Sequence, residues 1–217
     1  MEASGQINRN YKMNVRKPNY FQRLYRKLEI FIERSRDLDF SQVIPSADLG
    51  YDGALVIQCS PSGNKYLTSL LKDLFLTSSD NVLDIGCGKG SAILRMAKFK
   101  FNNVDGIEIA KQNAEVARAN FEKLRVDNVR IFNIDATLFN GYDNYNYFYM
   151  YNPFPEVVMQ LVISRLLSQI SEGKKITIIY NNPVCHKTII GAGFRLLKVY
   201  PDQWGNGINV YSNDILL

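Results

Sequence analysis

The sequence predicts an α/β fold: a mostly parallel sheet covered by helices on both faces and closed by a C-terminal antiparallel hairpin. Three observations predict it. From about residue 64, short apolar runs alternate with amphipathic helical stretches, the pattern of parallel strands joined by crossover helices. The first run falls into a glycine-spaced turn, "NVLDIGCGKGSA" (81–92), which suits a strand passing sharply into a helix. The last two runs flank "PDQWGNG" (201–207), a turn-rich stretch of the kind that closes a hairpin.

At the N-terminus, residues 1–36 carry nine Lys or Arg against three Glu, a net of +6, while the 217-residue chain is +5. Residues 37–217 therefore carry 5 − 6 = −1, and the basic character belongs to the leading segment. Such an arm suits a nucleic acid, an anionic membrane surface or an acidic substrate, or is a solvated helix face. Within it Phe21, Leu24, Tyr25, Leu28, Phe31 and Ile32 recur at helical spacing, which predicts a helix packed on the main domain behind a short tail.

Next, "NKYLTSLLKDLFL" (64–76) reads as a helix with Leu67, Leu70, Leu71, Leu74 and Phe75 on its apolar side. "NVLDI" (81–85) is a buried strand, "SAILRMAKF" the helix after the glycines, and "NVDGIEIA" (103–110) a second strand. The helix "KQNAEVARANFEKLR", a third strand "VRIFNI" (129–134) and a fourth, "YNYFYMY" (145–151), follow. Pro155 sits in the first turn of the helix "EVVMQLVISRLLSQI", where a missing N–H costs nothing. "KKITIIY" (174–180) is the fifth strand, and "FRLLKVY" and "INVYSNDILL" form the hairpin.

Composition bounds the class. The chain is 46% hydrophobic and 22% charged, enough for one domain with a sizeable core. No window is apolar enough to span a bilayer. The N-terminus lacks the apolar centre of a signal peptide, and Cys59, Cys87 and Cys185 match no metal-binding spacing. These features predict a cytoplasmic protein with reduced thiols.

The glycine turn is the first informative motif. A dinucleotide fingerprint would read G-x-G-x-x-G; here Gly86, Gly88 and Gly90 give G-x-G-x-G, with Ser91 at the sixth position. Lys89 is followed by Gly90 and not by Ser or Thr, which excludes a P-loop. Glu108 ends the second strand, 22 residues after Gly86, where an acid accepts hydrogen bonds from a ribose.

With these residues in place, "VLDIGCGKG" followed by "GIEIA" resembles the cofactor-binding half of class I S-adenosylmethionine-dependent methyltransferases, over roughly residues 60–215. The resemblance implies a Rossmann-like, doubly wound, seven-stranded sheet. It divides the chain into a basic N-terminal helical segment at 1–60, a lid or cap, and an S-adenosylmethionine-binding domain at 61–217. Asp84 and the loop Gly86, Cys87, Gly88 and Gly90 would face the methionine part of the cofactor. Glu108, with Ile109 beside it, would bind the ribose, and Asp135 and Ala136 would lie beside the adenine. Ser62 and Tyr66 would cover the carboxylate end, and Tyr151 and Asn152 would border the cofactor. Three clustered cysteines for an iron–sulfur centre are absent, so polar rather than radical methyl transfer is implied.

The fourth strand ends in "YMYNPFP" (149–155). Ligands of such sheets bind beyond the carboxyl ends of the strands, which aims Asn152 at the reaction centre. Asn152, Pro153 and Phe154 resemble the N-P-P-aromatic element of methyltransferases acting on amino groups, but read N-P-F-P. A closer likeness is to a bacterial subgroup that pairs "GCGKG" with "YNPF". A small-molecule or sugar-like acceptor leads this reading; an amino group of nucleic acid or protein, reached through the basic segment, is second. A nicotinamide-dependent oxidoreductase and a non-catalytic cofactor-binding module are the other classes.

Smaller expectations complete the list. Tyr145, Tyr147, Tyr149 and Tyr151 alternate and so share one face of the fourth strand. Asn181, Asn182 and Pro183 fall on the same rim as Asn152, and the one histidine, His186, is either a surface group or a general base. Cys87 packs against the sheet.

Overall fold

The computed structural model describes residues 20–42, 44, 61–202 and 205–214. The N-terminal tail, Cys59 and the tip of the terminal hairpin, Gln203 and Trp204, lie outside these residues. A helix α1 (Tyr20–Ser35) leads into α2 (Lys65–Asp73), β1 (Asn81–Ile85), α3 (Ser91–Met96), β2 (Asn103–Glu108) and α4 (Lys111–Leu124). Then come β3 (Ile131–Asn133), β4 (Tyr147–Tyr151), α5 (Glu156–Leu167), β5 (Thr177–Asn181), α6 (His186–Gly191), β6 (Arg195–Tyr200) and β7 (Ile208–Ser212).

The seven strands form one sheet in the order β3-β2-β1-β4-β5-β7-β6. Strands β1 to β5 pair in parallel, and β7 runs antiparallel to both β5 and β6. The apolar runs are buried along nearly their whole length because both faces are covered. On one face α2, α3 and α4 bury Leu67, Leu70, Ile93, Met96, Ala117 and Phe121 against Val82, Val104 and Ile179. On the other, α5 and α6 bury Met159, Val162, Leu166 and Ile189 against Leu83, Phe148, Met150 and Ile178. Each fully buried side chain of this size contributes about 1.5–3 kcal/mol. The chain turns from β1 to β2 and β3 on one side, then crosses to β4 on the other. Sheets of this kind bind ligands at such a reversal, here beyond the ends of β1 and β4.

Several expectations are corrected. Helix α1 forms, but its apolar stripe does not pack on the domain: Leu24, Tyr25, Leu28, Phe31 and Ile32 are exposed. What docks is the turn after it, where Leu38 and Phe40 enter the core and Phe40 meets Phe121 edge to face. Helix α2, capped by the Asn64 side chain on the Tyr66 and Leu67 N–H groups, ends at Asp73. Phe75 therefore leaves the helical stripe and is 99% exposed. Pro155 caps α5 from just outside its first turn. Tyr147, Tyr149 and Tyr151 share a face, but Tyr145 does not. It follows a 3₁₀ turn at Tyr142–Asn144, ahead of the strand, and its hydroxyl reaches Asp105 at 2.6 Å on the other face. Asp105, wholly buried, also accepts from the Arg130 backbone and guanidinium, which ties β2 to the approach of β3.

Candidate active site

β1 empties into the glycine turn, and the turn hangs on β2. The N–H groups of Gly86 and Cys87 both donate to the Ile107 carbonyl at 2.9 Å. Gly86 has φ +82° and Gly90 has φ +86°, a region that L side chains adopt at a cost. Space forbids a side chain as well. A Cβ on Gly86 would come within 2.8 Å of the Pro153 Cβ, and one on Gly90 within 2.5 Å of the Phe121 ring. The Gly86 contact is the central observation, since it places the glycine turn and the "NPFP" stretch, 67 residues apart (153 − 86), against each other. Cys87 is buried in the core beneath the turn, with its Sγ facing Gly106.

Glu108 closes the turn from the end of β2. Its carboxylate accepts from the Gly88 N–H and the Ala110 N–H, each at 2.8 Å, and from the Asn113 side chain. Burial raises its pKa, and these donors hold the rise back. Each carboxylate oxygen accepts two hydrogen bonds, so with three donors in place acceptor capacity remains for one ligand hydroxyl. Ile109 follows, its carbonyl held by Asn133.

Asp84 is the electrostatic anomaly. Its carboxyl is buried, and burial together with the neighbouring Glu108 pushes its pKa well above the ordinary value. Among the described residues no cation or hydrogen-bond donor answers it. A buried, uncompensated acid is costly and calls for a positive partner.

Asp84 faces Tyr149 across the β1–β4 register, and Tyr151 is paired with Asn181 across β4–β5. The Tyr149 hydroxyl accepts from the Asn181 amide at 3.2 Å and is hydrogen-bonded to Ser62. The side-chain amide oxygen of Asn181, in a residue 2% exposed, has no partner among the described residues. A track of polar groups thus runs across the ends of three adjacent strands. Asn181 was legible as a rim residue, but nothing in the sequence marked its unmet oxygen.

Asn152, buried, has φ +38° and sits beside this track, with its N–H on the Asn181 carbonyl at 3.1 Å. Tyr180 approaches its side-chain oxygen at 3.5 Å. Pro153 lies on Gly86, and Phe154 packs against the α5 face. Tyr151 packs on the α2 face. Asp135 caps the 3₁₀ turn Ala136–Leu138 through Thr137, and Ala136 is buried with its carbonyl taken by Tyr142. The His186 Nδ1 is 2.8 Å from the Tyr211 hydroxyl, which Asn209 also engages.

The fold and this turn define the class, an α/β domain in which a glycine turn and an Asn-Pro stretch meet at the β1–β4 reversal. The chain belongs to the methyltransferase-domain family, whose model matches residues 76–188. It is 40% identical over 68 residues to a 23S rRNA (uracil(1939)-C(5))-methyltransferase from Pasteurella multocida, 31% of this chain and 15% of that one. It is 28% identical over 134 residues to (S)-tetrahydroprotoberberine N-methyltransferase from Eschscholzia californica, 61% of this chain and 37% of that one. The chain spans between 15% and 37% of the length of the curated relatives it matches. Among solved structures, a mutant of MtNAS in complex with S-adenosylmethionine superposes with a TM-score of 0.53 and 20% identity, over 68% of this chain and 61% of that one.

Proposed function

We propose that this protein is an S-adenosylmethionine-dependent methyltransferase of the "GCGKG"/"YNPF" subgroup, acting on a small-molecule or sugar-like acceptor. The observation that carries it is the contact of Gly86 with Pro153, which joins a cofactor turn to an acceptor motif at one place. The residues fit the cofactor. Asp84, a buried carboxyl whose ionised form is disfavoured by burial and by Glu108, suits a ligand whose ammonium and sulfonium charges would favour that form. Glu108 retains acceptor capacity for one ribose hydroxyl, and the glycines of the turn offer backbone without side chains. Asp135, Ala136 and Ile109 take the adenine side, and Ser62, Tyr151 and Asn152 border the methionine side.

The bound cofactor supplies an activated methyl group. The protein's own contribution is to orient the acceptor and exclude water. Asn152 and Asn181 do this: the Asn152 side-chain oxygen and the unpartnered Asn181 oxygen accept hydrogen bonds from an acceptor N–H or O–H and turn its lone pair toward the methyl. Pro153 and Phe154 wall the reaction centre. The depth of these two amides favours a compact acceptor. A nucleobase would first have to be turned out of its stack to reach them.

The relatives act on different substrates, an rRNA in one case and an alkaloid named for its N-methylation in another. The test is calorimetric titration of S-adenosylmethionine and its demethylated product, followed by a radiolabelled-methyl screen of small amines, hydroxy compounds and sugars beside total RNA. Micromolar cofactor binding and labelling of a small compound support the reading. Label on RNA, with activity falling steeply as salt rises, would select the second acceptor class, and absence of cofactor binding would refute the assignment.

A further inference from the structure

We infer that helix α1 docks the protein on an anionic lipid surface. Helix α1 presents Tyr20, Leu24, Tyr25, Leu28, Phe31 and Ile32 with 46% to 74% of each residue exposed. At 3.6 residues per turn these side chains fall within an arc of about 140°. Arg23, Lys27 and Arg34 fall together within about 40° directly beside that arc. A contiguous apolar face of this kind on a soluble domain marks an interaction surface.

The rest of the segment is committed to the domain, which leaves the face outward by construction. Asp37, at φ +53°, ends the helix, and Leu38 and Phe40 are buried in the core. Asp39 pairs with Lys89 of the glycine turn at 2.5 Å, its N–H donates to Asn120, and Asp37 pairs with Lys123 at 2.5 Å. Glu33, one of the two acids of the helix, is turned back to accept from the Phe40 and Ser41 N–H groups and the Ser41 hydroxyl. The helix is thereby left with an apolar stripe bordered on one side by Arg23, Lys27 and Arg34 and on the other by Glu29, on a segment of net charge +6 over residues 1–36.

That combination selects the occupant. Against a nucleic acid the cations would be answered, but six large apolar side chains would stay in water. Two copies pairing antiparallel would bury the stripe but bring the Arg23, Lys27 and Arg34 flanks together, and a parallel pair would answer three cations with the single Glu29. A bilayer interface rich in anionic headgroups answers both, with Leu24, Leu28, Phe31 and Ile32 in the acyl boundary and the arginines and lysine at the phosphates. Tyr20 and Tyr25 have the apolar body and polar tip that favour the headgroup level.

The experiment is co-sedimentation of the full chain with vesicles of equal parts phosphatidylglycerol and phosphatidylcholine, and with vesicles of phosphatidylcholine alone. Binding to the first and much weaker binding to the second is expected. Removal of each cation should weaken binding about fivefold, and Arg23→Gln, Lys27→Gln and Arg34→Gln together by over about a hundredfold. Leu24→Glu with Phe31→Glu should abolish it. These side chains are exposed, so unchanged thermal melts will show that the variants fold. No sedimentation with either vesicle overturns the inference, as does equal binding to both. A dimer in light scattering that Leu24→Glu with Phe31→Glu dissolves would assign the face to a second copy, and salt-sensitive RNA binding that survives that double change would assign it to nucleic acid. Each would overturn the lipid assignment.

Discussion

Glu108 is the residue whose removal most directly tests the architecture of the turn. Its two carboxylate oxygens hold two different backbone donors, Ala110 N–H on Oε1 and Gly88 N–H on Oε2, both at 2.8 Å and both buried. Glu108→Gln keeps the shape but offers one acceptor oxygen, so one of the two N–H groups must face an amide NH₂. A hydrogen bond to an ionised acceptor contributes about 1.5–3 kcal/mol, and an orphaned buried donor costs about 1–3 kcal/mol. Part of this is offset because glutamine removes the burial of a charge, the effect that raises the Glu108 pKa. The expected loss is about 1–3 kcal/mol for Glu108→Gln and about 2–5 kcal/mol for Glu108→Ala, which strips both donors. Urea unfolding of the ligand-free protein reads these values, and calorimetry on the same samples reads cofactor affinity. Both variants should bind S-adenosylmethionine at least tenfold more weakly. A ligand-free Glu108→Ala protein as stable as wild type, within about 0.5 kcal/mol, would refute the reasoning and leave Glu108 as a ligand contact alone.

The other predictions concern the groups around it. Asp84→Asn should stabilise the ligand-free protein while weakening the cofactor. Because burial raises the folded-state pKa of Asp84, its ionised form is disfavoured on folding. The variant's advantage should be full above that raised pKa and should vanish as pH falls through it towards the ordinary 3.8; thermal melts of both proteins across pH 4 to 8 check the sign. Asn152 stands at φ +38°, so ligand-free stability should follow Asn152→Gly at or above wild type and Asn152→Ala about 1 kcal/mol below it. Both should keep cofactor affinity and lose methyl transfer. Asp39→Ala leaves the buried Lys89 ammonium without its 2.5 Å partner and should cost about 1.5–3 kcal/mol in urea unfolding, most of which Lys89→Met should recover in the double variant.

The strands and the turn were legible because their causes are local. "NVLDI" is a strand at 81–85 because a run of large apolar residues between a polar turn and three glycines has nowhere to go but between two helical layers. The Glu108 position was legible for a related reason: the β2 ladder places its last residue level with the turn after β1, as the pairing of Ile85 with Ile107 shows. Periodicity misled where it ran past an element's end. Phe75 and Tyr145 each continue an apolar rhythm, yet one follows the last turn of α2 and the other precedes β4, and outside the element the rhythm has no geometric meaning. The α1 stripe is a different failure. An amphipathic face requires a cover, and the sequence could not say whether the domain supplies it. The domain's own face was already filled by α2, α3, α4 and the Leu38–Phe40 turn.

The polar residues at the strand ends were the hardest to read, for a reason that the structure makes explicit. Asn152, Asn181 and Asn182 all stand just where strands become loops, and two of them, Asn152 and Asn182, have positive φ. Asparagine is favoured at such backbone positions whether or not its side chain meets a ligand, so its presence there cannot by itself separate a turn from a site. What separates them is satisfaction. Had the Asn181 side chain served only its turn, its amide would bond to nearby backbone, as the Asn64 cap does. Asn181 instead donates across to Tyr149 and leaves a buried oxygen without a partner among the described residues, two strands away from the buried carboxyl of Asp84, whose electrostatic neighbour is another acid, Glu108. Two oxygen groups of like need, the Asn181 amide oxygen and the Asp84 carboxyl, at the ends of β5 and β1 are an arrangement that a turn does not require and a bound, positively charged ligand with a hydrogen-bonding neighbour does.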